Sequence, residues 1–269
     1  MSHADTLISH PPESVVRFET HRHRARRELL EAGFLPEWRE LLSQRMRTWN
    51  QLTDTERTRL EQLALGLIID LDWEAANGFE ITDEIRVTIA SDAAVLLLGL
   101  PDDSFRKVHT VLVHPTTVVL RGQHSQVQGI VSDDPMPILG QAELNGPVII
   151  VWDAVLAEAR HPGSGHNVVF HEFAHQLDML DGSIDGTPPM DSIEQSQRWM
   201  QVCTATYERV VDGRAGKVLR SYAGVNPAEF FAVATEAFFD DPVDLRREHP
   251  DLYEVLGGYY HQDPAARWR

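Results

Sequence analysis

One cysteine, Cys203, is all the thiol chemistry available to this chain of 269 residues. A lone thiol cannot close a disulfide within the chain, and it excludes a zinc cluster built on several cysteines. A disulfide-free chain of this size fits a reducing compartment. Positive charge is also scarce: 24 Lys and Arg stand against 41 Asp and Glu, a formal charge of -17. A surface that negative repels phosphate backbones and anionic lipid headgroups, so neither nucleic acid nor membrane is expected as a partner. No uncharged apolar run reaches the roughly 18 residues that a membrane-spanning helix requires. The amino terminus carries no apolar run of signal-peptide length, and the expected location is cytoplasmic. Internal repeats and low-complexity tracts are missing as well.

What is present is an ordinary globular share of hydrophobic residues, 42%. Residues 1–24 are polar and His-rich and read as a flexible arm, with His21 and His23 alternating with Arg as a solvated basic stretch. Residues 25–80 read as a helical region. Pro36 suits a first helical turn, and Trp38, Leu41, Leu42 and Met46 follow at helical spacing. Thr53 with Glu56 makes a capping-box pattern, and Leu60, Leu63, Ala64, Leu67 and Ile68 continue one apolar face. Thr82 opens a segment taken as mainly helix over 85–98, although Ile85, Val87 and Ile89 alternate like a strand. Strands are expected at 108–113, 118–120 and 127–131, and, after the Asn145-Gly146-Pro147 turn, at 148–152. Helices are expected at 154–160, 167–180, 191–212 and 227–239, with Leu252 to Tyr260 as a terminal helix or irregular cover. Helices, then a small mixed sheet, then helices make an α+β fold.

The chemistry concentrates in His171-Glu172-Phe173-Ala174-His175. Two imidazoles four residues apart lie one turn apart on one helix face, where both can grip a single zinc ion. Glu172 is placed to reach a water activated at the metal from the side and to move its proton. The alternative, a pair of satisfied core histidines, would bury two His and one Glu among Phe170, Phe173, Ala174 and Leu177 without purpose.

A catalytic zinc site wants a third protein ligand. Asp181 has the spacing of an extended HExxHxxGxxH/D motif, but Asp178 occupies the position where that motif needs glycine, and Gly182 comes too late. Glu229 and Glu236 lie seven apart on an otherwise apolar helix that Pro227 opens, and Glu229 is the preferred ligand in the manner of thermolysin-like enzymes. Glu236 is expected to orient the ligand shell or bind backbone rather than ligate. Asp178, three residues after His175, either holds that imidazole's second nitrogen or caps backbone groups at the helix end. The strand at 148–152 is either an ordinary core strand or an edge on which a peptide adds as a further strand.

Longer strings carry a resemblance. Gly146-Pro147-Val148 through Trp152, Asn167-Val168-Val169 leading to His171 and on through Gln176-Leu177-Asp178, Tyr222-Ala223 with Asn226-Pro227-Ala228-Glu229-Phe230-Phe231-Ala232-Val233, and Asp263-Pro264 resemble the Mlc titration factor A family of zinc metallopeptidases. The likeness covers most of residues 80–269. It implies a zincin-like, gluzincin-type metallopeptidase domain over 81–269 with an active-site helix, related in its core to the anthrax lethal factor protease domain. It implies one zinc ion per chain held by His171, His175 and Glu229, with Glu172 as general base and Tyr222 as a catalytic donor to the oxyanion. The expected function is hydrolysis of a peptide or protein substrate, with aminopeptidase action as one form. A rival follows from the family's name: a regulatory protein that sequesters a transcriptional repressor, its zinc structural or vestigial. Glu172 and Tyr222 favour the enzyme, since zinc ligation alone needs neither. An amidohydrolase acting on a non-peptide bond would share the same chemistry. Cys203, on a polar helix, has no partner to make it a nucleophile.

Overall fold

Caps and apolar spacing set the helices that come first. The computed structural model describes residues 27–116 and 146–268. The arm over 1–24 and the strands expected at 118–120 and 127–131 lie outside the described residues. Helix α1 (Pro36–Arg45) buries Trp38 and Leu42, and a short α2 (Arg47–Gln51) buries Trp49. Thr53 caps α3 (Asp54–Asp70) reciprocally: its side chain accepts from the Glu56 N–H, and its own N–H donates to the Glu56 carboxylate at 2.9 Å. The Thr82 hydroxyl caps α4 (Asp83–Leu96) by accepting from the Ile85 N–H. Ile85, Val87, Ile89, Ala90, Ala93, Ala94, Val95 and Leu96 are all buried. A helix apolar on nearly every side belongs inside, and that all-round burial is why its first residues also alternate like a strand.

Three strands, β1 (Asp72–Ala75), β2 (Thr110–His114) and β3 (Val148–Val151), pair in that order. Trp73 lies opposite Val111 and Leu112 opposite Ile149. The sequence suggests a mixed sheet; its described part is parallel throughout. Parallel neighbours require long crossovers, and α4 lies in the one between β1 and β2. β1 has no counterpart in the sequence-based expectations. Its Asp72-Trp73-Glu74-Ala75 alternates half-buried with exposed positions, too short and too charged to register as a strand. Trp152, expected to end β3, instead opens α5 (Trp152–Glu158).

The remaining helices are α6 (Val168–Asp178), α7 (Ile193–Val211), α8 (Pro227–Asp240), α9 (Pro242–Glu248), α10 (Pro250–Tyr260) and α11 (Pro264–Arg267). Proline opens α8, α9, α10 and α11, where its missing N–H costs nothing and its fixed φ suits the first turn. Ala228 through Phe239 are buried without exception, so α8 runs through the interior. Helix α6 packs against α8, β3 and α4, with Phe170 and Phe239 rings 5.5 Å apart at the α6–α8 contact. One apolar core joins residues from Phe34 to Ala265. Among the described residues, no helix is long and apolar enough to cross a membrane.

Candidate metal centre

The start of α6 is held by carboxyl groups from three other elements. Asn167 caps it, its side chain accepting from the Phe170 N–H at 2.9 Å. The Glu158 carboxylate at the end of α5 accepts from the Val168 N–H at 2.9 Å, and Glu236 on α8 accepts from the Asn167 N–H at 2.8 Å. Asp92 on α4 hydrogen-bonds the Asn167 side chain. A helix leaves its first N–H groups without partners, so carboxyl oxygens that accept from them at this end are favourable. They fix the first turn, from which His171 projects one turn on.

The other end of α6 is tied to the start of α8. Asp178 Oδ2 accepts from the Gly186 N–H at 2.9 Å, and Trp199 Nε1 donates to the Gly186 carbonyl at 3.2 Å. Gly186 has φ +76, and a Cβ there would lie 2.2 Å from the Pro227 carbonyl oxygen. No side chain fits that approach. One residue before Pro227, Asn226 caps α8 by accepting from the Glu229 N–H at 2.9 Å, which sets the backbone of Glu229.

These constraints bring three side chains to one point. His171, His175 and Glu229 are buried, and each offers one ligand atom within 4.8 Å of the others. The two Nε2 atoms are 3.3 Å apart. Glu229 Oε2 stands 3.1 Å from His171 Nε2 and 3.7 Å from His175 Nε2, yet is aligned for a hydrogen bond with neither. A tetrahedral ion with ligands at about 2.0–2.1 Å has ligand–ligand edges of roughly 3.3–3.4 Å. Two imidazole nitrogens and a carboxylate oxygen at these separations fit a small divalent cation.

The electrostatics agree. Burial alone would lower the His171 pKa, but the Glu236 and Glu229 carboxylates outweigh it and raise it to about 10. Burial alone would raise Glu229, but the two imidazoles beside it bring it down to about 2. The pocket therefore favours positive charge at the shared point. Burial raises Glu172 above the usual carboxylate range, the two histidines pull against that, and Glu229 and Glu236 add to it. The Glu172 side chain is half-buried.

Tyr222 stands in the single turn Ser221–Gly224, its ring 6.1 Å from that of His171. Its hydroxyl is buried without a hydrogen-bond partner among the described residues. Burial, with Glu229 and Glu172 nearby, raises its pKa and keeps the phenol protonated. Glu236 does not join the three converging atoms; its Oε1 meets His171 Nδ1 at 2.6 Å. Asp178 is turned to Gly186, and both its Oδ1 and His175 Nδ1 are buried without a partner among the described residues. Asp181 is exposed and accepts from the Ser183 N–H at 2.8 Å, apart from the converging group. Burial pushes Cys203 up to about 12, so it stays a thiol at neutral pH.

Sequence reasoning passes over Arg220, whose guanidinium grips both oxygens of Glu236. The available signal is indirect: a buried carboxylate on an apolar helix face needs a cation from somewhere, and nothing local supplies one.

A family model described as glucose-regulated metallo-peptidase M90 matches residues 20–261. The chain is 32% identical over 242 residues to the uncharacterized protein slr2042 of Synechocystis sp., covering 88% of each. It is 31% identical over 222 residues to the Mlc titration factor A of Edwardsiella ictaluri, covering 80% of this chain and 84% of that one. To the Mlc titration factor A of Serratia proteamaculans it is 28% identical over 243 residues, covering 88% and 91%.

Proposed function

Because the chain belongs to the glucose-regulated metallopeptidase family M90, we propose that it is a zinc-dependent peptidase with one zinc ion per chain and a zincin-like catalytic core. The observation that carries this reading is the convergence of His171 Nε2, His175 Nε2 and Glu229 Oε2 on one buried point. Those three residues hold the metal. When bound, zinc supplies Lewis acidity toward a carbonyl oxygen and lowers the pKa of water. Glu172, next in sequence to one ligand, takes the proton of the attacking water and delivers it to the leaving amine. Its raised pKa suits both halves of that transfer. Tyr222 donates its hydroxyl proton in a hydrogen bond to the developing oxyanion, a contribution of about 3 kcal/mol where a single donor is removed in comparable sites. A buried phenol with no partner of its own is preorganised for such a role.

Glu236 accepts from His171 Nδ1, which leaves Nε2 with its lone pair toward the metal. Strand β3, the last of the sheet among the described residues, lies against α6 and is the proposed place for a peptide to add as a strand. In this reading residues 81–269 form the catalytic domain behind an arm and a helical region, with β1 lent to its sheet from the preceding segment. The proposed location is the cytoplasm.

Glu172→Gln tests the mechanism. The variant should keep its zinc and lose hydrolysis of a chromogenic aminoacyl and peptide panel, which also separates aminopeptidase from endopeptidase action. A Glu172→Gln protein as active as the wild type would overturn the proposal. The relatives' name, Mlc titration factor A, supports a second reading, in which the chain binds a repressor protein and the zinc is structural. Capture of a repressor unaffected by chelation, with no peptidase activity, would favour that reading.

A further inference from the structure

Arg220 belongs to no motif, yet its guanidinium borders most of what surrounds His171. Nη1 donates to Glu236 Oε2 at 2.9 Å and Nη2 to Glu236 Oε1 at 2.5 Å. The same two oxygens take the His171 ring nitrogen Nδ1 at 2.6 Å and the Asn167 N–H at 2.8 Å. Each carboxylate oxygen thus receives two donors, and the plane of Glu236 is fully determined. Nη1 also reaches His166 Nδ1 at 3.0 Å, in the loop that leads into α6. The guanidinium carbon lies 5.9 Å from the centre of the Tyr222 ring, within cation–π range.

We propose that Arg220 is a positioning residue for the metal centre: its two-pronged grip on Glu236 sets the orientation of His171, and its face steadies the Tyr222 ring. This deepens the metal-site reading and rests on it. The fork is the essential feature. With both oxygens of Glu236 fixed by parallel N–H donors, His171 donates to it from Nδ1, which makes Nε2 the nitrogen left to the metal. A lysine would supply the charge without the plane. Both terminal nitrogens of Arg220 are turned to Glu236, and Nη1 to His166 as well.

The test uses the full chain as wild type, Arg220→Lys and Arg220→Ala. Zinc affinity is read by chelator competition, ligand geometry by the visible spectrum of the cobalt-substituted protein, and folding by the thermal melt of the metal-stripped form. Loss of a residue that orients a metal ligand typically costs 10–100-fold in affinity, and Arg220→Ala should fall in that range. Arg220→Lys should melt close to the wild type and still bind zinc more weakly, with a shifted cobalt spectrum. If Arg220→Ala does not fold, the lysine variant decides. Wild-type affinity and cobalt spectrum in Arg220→Lys would overturn the inference. Neither readout depends on turnover, so a chain that binds zinc and cuts no peptide would remove the peptidase reading alone. A wild-type chain that binds no zinc would remove both.

Discussion

His171 and His175 are the same residue type one turn apart on α6, and the fold treats them unequally. Behind His171 the supporting groups are engaged: Nδ1 meets Glu236, Glu236 is gripped by Arg220, and the helix start is held by Glu158, Glu236 and Asn167. Around His175, Nδ1 and the nearby Asp178 Oδ1 are both buried without a partner among the described residues. What positions His175 is backbone: Asp178 and Gly186 pin the end of α6 against the start of α8. One imidazole is oriented through its side chain, the other through the helix that carries it. The difference means that equal changes at the two ends should have unequal effects.

The largest effect is expected from Glu236→Ala. It removes the acceptor at His171 Nδ1 and leaves Arg220 without its carboxylate. Breaking a buried ion pair by removing one partner costs about 3–5 kcal/mol. The low end applies here, because the Arg220 side chain keeps 25% exposure while that of Glu236 has 2%. Zinc affinity should fall about 10–100-fold in addition. Denaturant unfolding of the metal-stripped protein separates the first loss from the second. A variant that kept wild-type zinc affinity would break the comparison, since His171 would then need no more support than His175.

Capping and periodicity make much of this legible in the residues alone. Thr53, Asn167 and Asn226 each announce a helix from the residues beside them, and four-residue spacing puts His171 and His175 on one face. Glu229 stands out as an acid on an apolar face. Each of these signals is local. Arg220 and Glu236 are sixteen positions apart on different elements, and nothing in either segment states that they meet. The short α9, Pro242–Glu248, has Pro242 and Leu245 as its buried residues, too few to show a period. β1 is hidden for a related reason, as its partners lie in β2 and its own four residues carry two acids. Where a feature depends on long-range pairing rather than on spacing, a single sequence leaves it unmarked.

A middle-sized effect should follow pH at the His171 end. Burial raises Asp92 to about 7; the Asn167 side chain opposes this and Asp240 adds to it. Burial likewise raises Glu158 to about 8. Between the ordinary carboxylate pKa and these values, the folded protein holds protons that the unfolded chain releases. Their contribution to stability is therefore complete below about pH 4 and is lost as pH rises through about 7 to 8. The slope is about 1.4 kcal/mol per pH unit for each group. Asp92→Asn removes one of these groups, so its stability relative to the wild type should improve between pH 5 and pH 8 in paired urea titrations. A constant difference across that range would show that Asp92 is ionised in the fold.

The smallest effect, and the sharpest test of the inequality, belongs to Asp178→Asn. Burial, opposed by the Gly186 N–H, raises the Asp178 pKa to about 6, and its Oδ2 is committed to Gly186 rather than to His175. Asparagine keeps one carbonyl oxygen for that N–H, so the pin between α6 and α8 should survive. What it removes is the charge and the second oxygen, the one without a partner. If His175 is placed by the helix alone, zinc affinity should change by less than about threefold, far below the 10–100-fold typical of a lost ligand-orienting group. A tenfold loss would mean that Asp178 reaches His175 Nδ1, through a bridging water given the geometry here, and that the two histidines are supported alike. The same chelator competition used for Arg220 reads both outcomes on one scale. Asp178→Asn beside Glu236→Ala therefore measures how unequal the two ends of α6 are.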